Sequence, residues 1–100
     1  MKVTELTKTN FEQETSVSET VLIDFWASWC GPCKMLSPTV DEVAEENAEL
    51  KVCKVNIDDE QELAMKFGIM SIPTLVVLKN GKETNRSVGV ISKADILKLL

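Results

Sequence analysis

The sequence predicts an α/β fold: a central mixed five-stranded sheet, parallel at its start and antiparallel in a C-terminal hairpin, flanked by four helices. Three observations support this prediction. Apolar runs typical of buried strands first alternate with amphipathic stretches. An Asn80-Gly81 pair then lies between two strand-like segments, and a helix-start sequence follows the second of them. Because no repeat or linker-like run interrupts the chain, we expect residues 1–100 to form one domain.

The first strand and helix are predicted to be short, and the second strand to be buried. Val3 to Leu6 is a candidate strand, and Thr9-Asn10 is expected to cap a weak helix that ends at about Thr15. The segment TVLIDFW, residues 20–26, is a near-continuous apolar run bounded by polar residues. Such a run predicts a strand that is covered on both faces.

A long amphipathic helix is predicted after Gly31-Pro32. Its acidic face, from Asp41 to Glu49, indicates a solvated surface. We expect a bend at Pro38, because proline lacks the amide donor that a helix interior needs. The residues expected on the opposite face are Leu36, Val40, Val43, Ala44 and Asn47.

The next two elements are a strand and a short helix. The segment KVCKVNI, residues 51–57, predicts a second interior strand. Asp58 or Asp59 is expected to cap the helix, which should end at Gly68. The side chains predicted to point inward are Leu63, Ala64 and Phe67.

The last third of the sequence predicts a hairpin and a final helix. A strand from Pro73 to Lys79 leads into Asn80-Gly81, which is the strongest short-range hairpin signal. The second hairpin strand comes from KETNRSVGV. Ser92 to Asp95 resembles a capping box, and the helix that it opens should turn three side chains inward: Ile96, Leu97 and Leu100.

Composition and charge exclude several classes of function. The formal net charge of -5 leaves no basic stripe for phosphates, so we expect no nucleic-acid or anionic-membrane partner. The N-terminal residues have no apolar stretch of signal-peptide length, and no run is long enough to span a bilayer. We therefore predict a cytoplasmic protein.

Two of the three cysteines, Cys30 and Cys33, frame a Gly31-Pro32 pair. A closed zinc site needs four ligands, and without histidine it would require carboxylates or a second chain, so we expect no metal. A permanent bridge across so short a ring would add little stability. Reversible redox chemistry fits the spacing, because cysteines at i and i+3 of a helix start have Cα atoms about 5 Å apart.

A position at a helix N-terminus would give the two cysteines different roles. Unpaired amides and the positive end of the helix dipole favour a thiolate there. We expect Cys30 to be the exposed nucleophile, and Cys33, one turn into the helix, to be the shielded resolving thiol. Pro32 suits the first helical turn and, next to Gly31, stiffens the loop.

The motif WASWCGPCK resembles that of thioredoxins, as do the aspartate two residues before its first tryptophan and the later IPT, NG and VG sequences. The resemblance extends in register from about Phe11 to Leu100. It implies the thioredoxin fold and a general protein-disulfide reductase and electron carrier that receives electrons from NADPH through thioredoxin reductase. It also implies no bound cofactor besides the redox-active disulfide, and client proteins that contain disulfides. We expect a monomer.

Asp24 is the single acid in the apolar run of residues 20–26. Burial should raise the pKa of its carboxyl group, so that it could exchange a proton near neutral pH. The resemblance implies that Asp24 accepts the proton of Cys33. The alternative is a buried acid neutralised by pairing with Lys54, and the two descriptions can both hold.

The resemblance further implies a substrate-binding rim. The thioredoxin equivalent of Trp29 screens the disulfide and contacts the substrate. Thioredoxins also place a cis-proline opposite the cysteines, which implies a cis bond before Pro73 and a rim where an extended substrate can pair with the backbone. Gly89 and Val90 should flank the groove and leave space for the partner. The residues of the rim before the proline are Met70, Ser71 and Ile72.

Two residues near these motifs have simpler interpretations. Trp26 is expected to pack in the core, as a buried indole usually does. Cys53 is expected to be a small buried hydrophobe.

Two other functions stay open at this point. A thiol oxidase or isomerase would use the same cysteines, but such members of the superfamily typically carry histidine between them, whereas Gly31-Pro32 favours reduction. A non-catalytic scaffold subunit would need neither cysteine. Intact Cys30 and Cys33, together with Asp24, argue against the scaffold.

Overall fold

The sheet is built from strands that are not neighbours in sequence. The computed structural model describes residues 3–100, with strands β1 (Val3–Glu5), β2 (Thr20–Trp26), β3 (Lys51–Asn56), β4 (Thr74–Lys79) and β5 (Lys82–Val88). Its helices are α1 (Phe11–Thr15), α2 (Gly31–Glu46), α3 (Gln61–Lys66) and α4 (Lys93–Leu99). The order across the sheet is β1-β3-β2-β4-β5. Strand β3 pairs in parallel with β1 and with β2. Strand β4 pairs antiparallel with β2 on one side and with β5 on the other. The predicted fold class is confirmed.

Alternation along β2 divides the core into two layers. Val21, Ile23 and Phe25 pack in one layer with side chains of α1 and α3. Leu22 packs in the other layer with side chains of α2 and α4. Because side chains alternate along a strand, Asp24 lies on the same face as Leu22. The strand therefore directs the Asp24 carboxyl toward α2.

The predicted hairpin is present. Lys79 pairs with Lys82, and the two residues between them have positive φ angles, 52° at Asn80 and 81° at Gly81. A two-residue turn of this kind matches the twist of the flanking strands, and asparagine and glycine tolerate the left-handed conformation that it needs.

The predicted cap of α1 is confirmed in its position, whereas the predicted cap of α3 is wrong. Asn10 occupies the N-cap position of α1, but its side chain makes no cap hydrogen bond, because its Oδ1 accepts from the Thr7 amide at 2.7 Å. Helix α3 starts after Glu60, not after Asp58 or Asp59. Its cap position also lacks a side-chain bond, because Glu60 Oε1 accepts from the Lys8 amide at 2.7 Å.

The last helix is confirmed, with one of its predicted inward residues wrong. Ser92 Oγ accepts from the Asp95 amide, as a helix N-cap does. Ile96 is buried, and Leu100 packs against the same core layer. Leu97 is exposed, whereas Leu99 packs inward. The reason is geometric: Leu99 lies three residues after Ile96 and shares its face of the helix, while Leu97 is rotated about 100° away.

None of the helices within residues 3–100 combines the length and the apolar content needed to cross a membrane.

Candidate active site

Cys30 and Cys33 lie at the start of α2, where the chain leaves β2 and turns into the helix. Cys30 is the N-cap residue, and its Sγ accepts a hydrogen bond from the Cys33 amide at 3.2 Å. The two residues form a disulfide, with Cα atoms 5.3 Å apart. This distance agrees with the spacing argument. The helix start thus supplies an amide that would also stabilise a Cys30 thiolate.

The expected exposure of Cys30 is wrong for this disulfide form. Cys30 is 5% exposed, little more than Cys33 at 3%. The pair packs with Ala27 and is covered by partly buried apolar side chains, among them Ile72. Cys30 Sγ lies 3.9 Å from the Ile72 carbonyl oxygen. Ile72 belongs to the segment before β4, so a contact with a distant part of the chain buries Cys30. Its position just before a helix would otherwise leave it exposed.

The predicted rim residues lie around this carbonyl. The Ile72-Pro73 bond is cis, as the resemblance implied. Met70 is 97% exposed, and Ser71 is exposed beside it. The Gly89 amide donates to the Pro73 carbonyl at 2.8 Å, which brings the end of β5 against the rim. Val90, the next residue, is also exposed.

The two tryptophans differ in exposure. Trp29, just before Cys30, is 68% exposed, and its Nε1 donates to Asp58 Oδ2 at 2.9 Å. Trp26 is partly buried and packs against the cysteine pair. Asp58 is a site residue that the sequence analysis assigned elsewhere, as a helix cap. No local pattern links it to Trp29, because the two residues meet only through the fold.

Asp24 is a buried acid close to the cysteines. It is 1% exposed, and its Oδ1 has no hydrogen-bond partner in the described part of the chain. Burial raises the pKa of its carboxyl group from 3.8 to about 7; the Lys54 ammonium lowers it, and Asp41 and Glu5 raise it further. The side chain can therefore gain or lose a proton near neutral pH.

Lys54 does not pair with Asp24, so the predicted ion pair is wrong. Its Nζ lies 3.0 Å from Asp41 Oδ1 and donates to Ser37 Oγ at 2.6 Å. Asp41 was expected to be only part of a solvated face. The physical reason is the rotation of α2, which turns Asp41 toward the sheet although more than half of its side chain stays exposed.

A cavity of about 580 Å³ connects these groups. Its lining includes Asp24, Cys33, Ser37, Asp41 and Lys54. Ser37 and Asp41 were not among the predicted site residues. The available signal was their spacing, since they follow Cys33 at four and eight residues and so share one stripe of the helix.

Cys53 lies away from this site. It is buried in the core layer beneath α1 and α3, and burial raises the pKa of its thiol to about 12. It is therefore an inert packing residue, as predicted. Among residues 3–100, no group of three or more histidine, cysteine, aspartate or glutamate side chains could hold a metal ion.

A disulfide at the N-terminus of a helix, on a mixed sheet and beside a buried carboxyl group, defines the class of thiol-disulfide oxidoreductases. A sequence profile described as Thioredoxin matches residues 2–100. The chain therefore belongs to the thioredoxin family, and it is a protein-disulfide reductase that uses the Cys30-Cys33 pair.

Individual relatives agree over nearly the whole chain. The chain is 46% identical over 101 residues to a thioredoxin of Bacillus subtilis (strain 168), covering 100% of this chain and 96% of that protein. It is 44% identical over 102 residues to a thioredoxin of Pyropia yezoensis, covering 100% and 95%. The solved structure of a mutant thioredoxin from Halobacterium salinarum NRC-1 matches with a TM-score of 0.91 at 35% identity, covering 97% of this chain and 86% of that one.

Proposed function

We propose that this chain reduces disulfides of client proteins with Cys30 as the nucleophile, Cys33 as the resolving thiol and Asp24 as the proton acceptor. The observation that carries this proposal is the placement of Cys30 Sγ at the N-cap of α2, where it accepts the Cys33 amide. An anion at this position is stabilised by the amide and the helix dipole. Cys33 has no comparable donor within the described residues.

The reaction proceeds by two thiol-disulfide exchanges. The Cys30 thiolate attacks one client sulfur, the client disulfide breaks, and the first client thiolate leaves as a mixed disulfide forms. The Cys33 thiol then transfers its proton to the Asp24 carboxylate and attacks Cys30 Sγ. The mixed disulfide breaks and the second client thiolate leaves. The client gains two electrons, and the chain is left with the Cys30-Cys33 disulfide.

The rim positions the client for the first attack. An extended client segment pairs with backbone groups near Ile72 and Pro73, beside the Cys30 sulfur. Exposed side chains at Trp29 and Met70 contact the client from either side, and Gly89 with Val90 leaves room for its backbone. Gly31 and Pro32 form the start of α2 between the two cysteines and support their close spacing. Lys54 is a supporting residue beside Asp24 on the neighbouring strand, and its ammonium charge lowers the pKa of the Asp24 carboxyl group against the larger effect of burial.

Family membership also supports a physiological setting. In this proposal the chain is a monomeric electron carrier of the cytoplasm, in which residues 1–100 act as one domain. Thioredoxin reductase returns it to the dithiol with electrons from NADPH. The net charge of -5 offers no attraction to nucleic acid or anionic membranes.

Insulin reduction driven by dithiothreitol tests the proposed roles. Cys30→Ser should abolish the acceleration that the wild-type chain gives, because the attacking thiolate is gone. Cys53→Ser is the matched control: it replaces a thiol outside the site, and the correctly folded variant should keep the wild-type rate. If Cys30→Ser retained the wild-type rate, Cys30 would not be the nucleophile.

A further inference from the structure

Three side chains on one stripe of α2 face two strand residues across the cavity. Cys33, Ser37 and Asp41 are spaced four residues apart, which places them on the same side of the helix. Asp24 and Lys54 are register partners on β2 and β3 and line the same cavity. The resolving thiol, the buried acid and a cation thus meet in one small volume.

The Lys54 ammonium contacts side chains of α2 and not the carboxyl group of Asp24 beside it. Lys54 Nζ donates to Ser37 Oγ at 2.6 Å and lies 3.0 Å from Asp41 Oδ1. No ion pair joins it to Asp24 within residues 3–100, although the two residues are adjacent in register. Asp24 Oδ1 stays without a hydrogen bond in that part of the chain. A lysine on a flexible stem could reach such a neighbour if nothing held it elsewhere.

We infer that Ser37 and Asp41 are positioning residues that hold the Lys54 ammonium away from Asp24. This inference rests on the proposed role of Asp24 as the proton acceptor. With the cation held on the helix, burial dominates at Asp24, and its carboxyl group exchanges a proton near neutral pH. Release of the cation would stabilise the carboxylate and make it a weaker base toward the Cys33 thiol.

Four charged residues besides Asp24 line the cavity, and one of them, Lys34, comes from the first turns of α2. Lys54 approaches from β3, Asp41 from α2 and Glu5 from β1. Cys33, on α2, adds a titrating thiol when the disulfide is reduced. The facing partner on β4 is Leu75, which carries no charge.

Ser37→Ala is the decisive variant because it removes a hydrogen bond without changing any charge. Alanine favours the helix, so the variant should fold. Titration of the Asp24 carboxyl carbon by NMR in the reduced chain measures the effect. We expect the midpoint to fall by about half a pH unit in Ser37→Ala, since a nearby cation lowers the pKa of an acid. It should fall by about one pH unit in the double variant with Asp41→Asn, which also removes an acid that raises the Asp24 pKa. The pH profile of client reduction should move in the same direction.

Two controls separate positioning from other effects. In a Lys54→Met background, Ser37→Ala should leave the Asp24 midpoint in place, because there is no ammonium to release. Glu45→Gln removes one acid from the exposed face of the same helix and should not move the midpoint. An unchanged or raised midpoint in Ser37→Ala would overturn the inference, as would an equal fall in the Lys54→Met background.

The measurements distinguish a failure of the positioning inference from a failure of the proposed catalytic role. If the midpoint moves but Asp24→Asn turns over clients at the wild-type rate, the positioning holds and the proton-acceptor role fails. If Asp24→Asn is slow but the midpoint of Ser37→Ala does not move, the catalytic role holds and the positioning inference fails.

Discussion

The environment of Asp24 was only partly predictable from the sequence. Its burial and its raised pKa follow from the sequence, because an acid within a strand-like apolar run has little access to water. The absence of an ion pair between Asp24 and Lys54 in the described residues could not be predicted from the sequence. Both residues lie on predicted strands, but the groups that bind Lys54 come from α2, and their orientation depends on how that helix packs.

Asp24→Asn should increase the free energy of unfolding, and the increase should grow with pH. The pKa of the Asp24 carboxyl is raised from 3.8 to about 7, so between these values the folded state binds the proton more tightly than the unfolded state. The wild-type chain therefore loses stability as pH rises from about 4 to about 7, by up to about 4 kcal/mol, and the variant does not.

Urea unfolding of both proteins at pH 4, 6 and 8 measures this difference. Comparing the variant with the wild type cancels the contributions of the other titrating groups. A stability difference that stayed constant across the three pH values would show that Asp24 is not the group responsible.

Among the helices and strands, sequence patterns predicted correctly those features that depend on contacts between neighbouring residues. The hairpin turn at Asn80-Gly81 was predictable because the two residues themselves supply the required conformation. The start of α3 was not predictable in the same way. The contact at its N-cap residue joins Glu60 Oε1 to the amide of Lys8, which is distant in sequence. Leu97 was misplaced because helical spacing leaves the rotation of a short helix ambiguous until its neighbours are known.

The N-terminus of α4 allows a direct test at this scale. Ser92 Oγ accepts from the Asp95 amide at 3.1 Å, so Ser92→Ala leaves that amide without its capping partner. We expect a loss of about 1 kcal/mol in the free energy of unfolding, measured by urea denaturation. Ser28→Ala, in an exposed loop, is the matched control and should change stability by less than about 0.5 kcal/mol. Equal effects of the two variants would contradict the cap.

The whole molecule assembles the site from segments that are far apart in sequence. The helix start provides the cysteines, β2 the buried acid, and the entry to β4 the carbonyl beside Cys30. The motif and its helix position were predictable from the residues. The rim was implied only by resemblance, because strand neighbours cannot be read from local patterns. The burial of Cys30 was missed for the same reason: Ile72 covers it from across the site.

Alkylation of the reduced chain at pH 7 tests the central claim most directly, with each cysteine quantified by mass spectrometry after brief exposure to iodoacetamide. If the helix start stabilises the Cys30 thiolate and the site opens to reagents, Cys30 should react at least about tenfold faster than Cys33 or Cys53. Labelling of Cys30 at the same rate as Cys33, or more slowly, would contradict its assignment as the nucleophile.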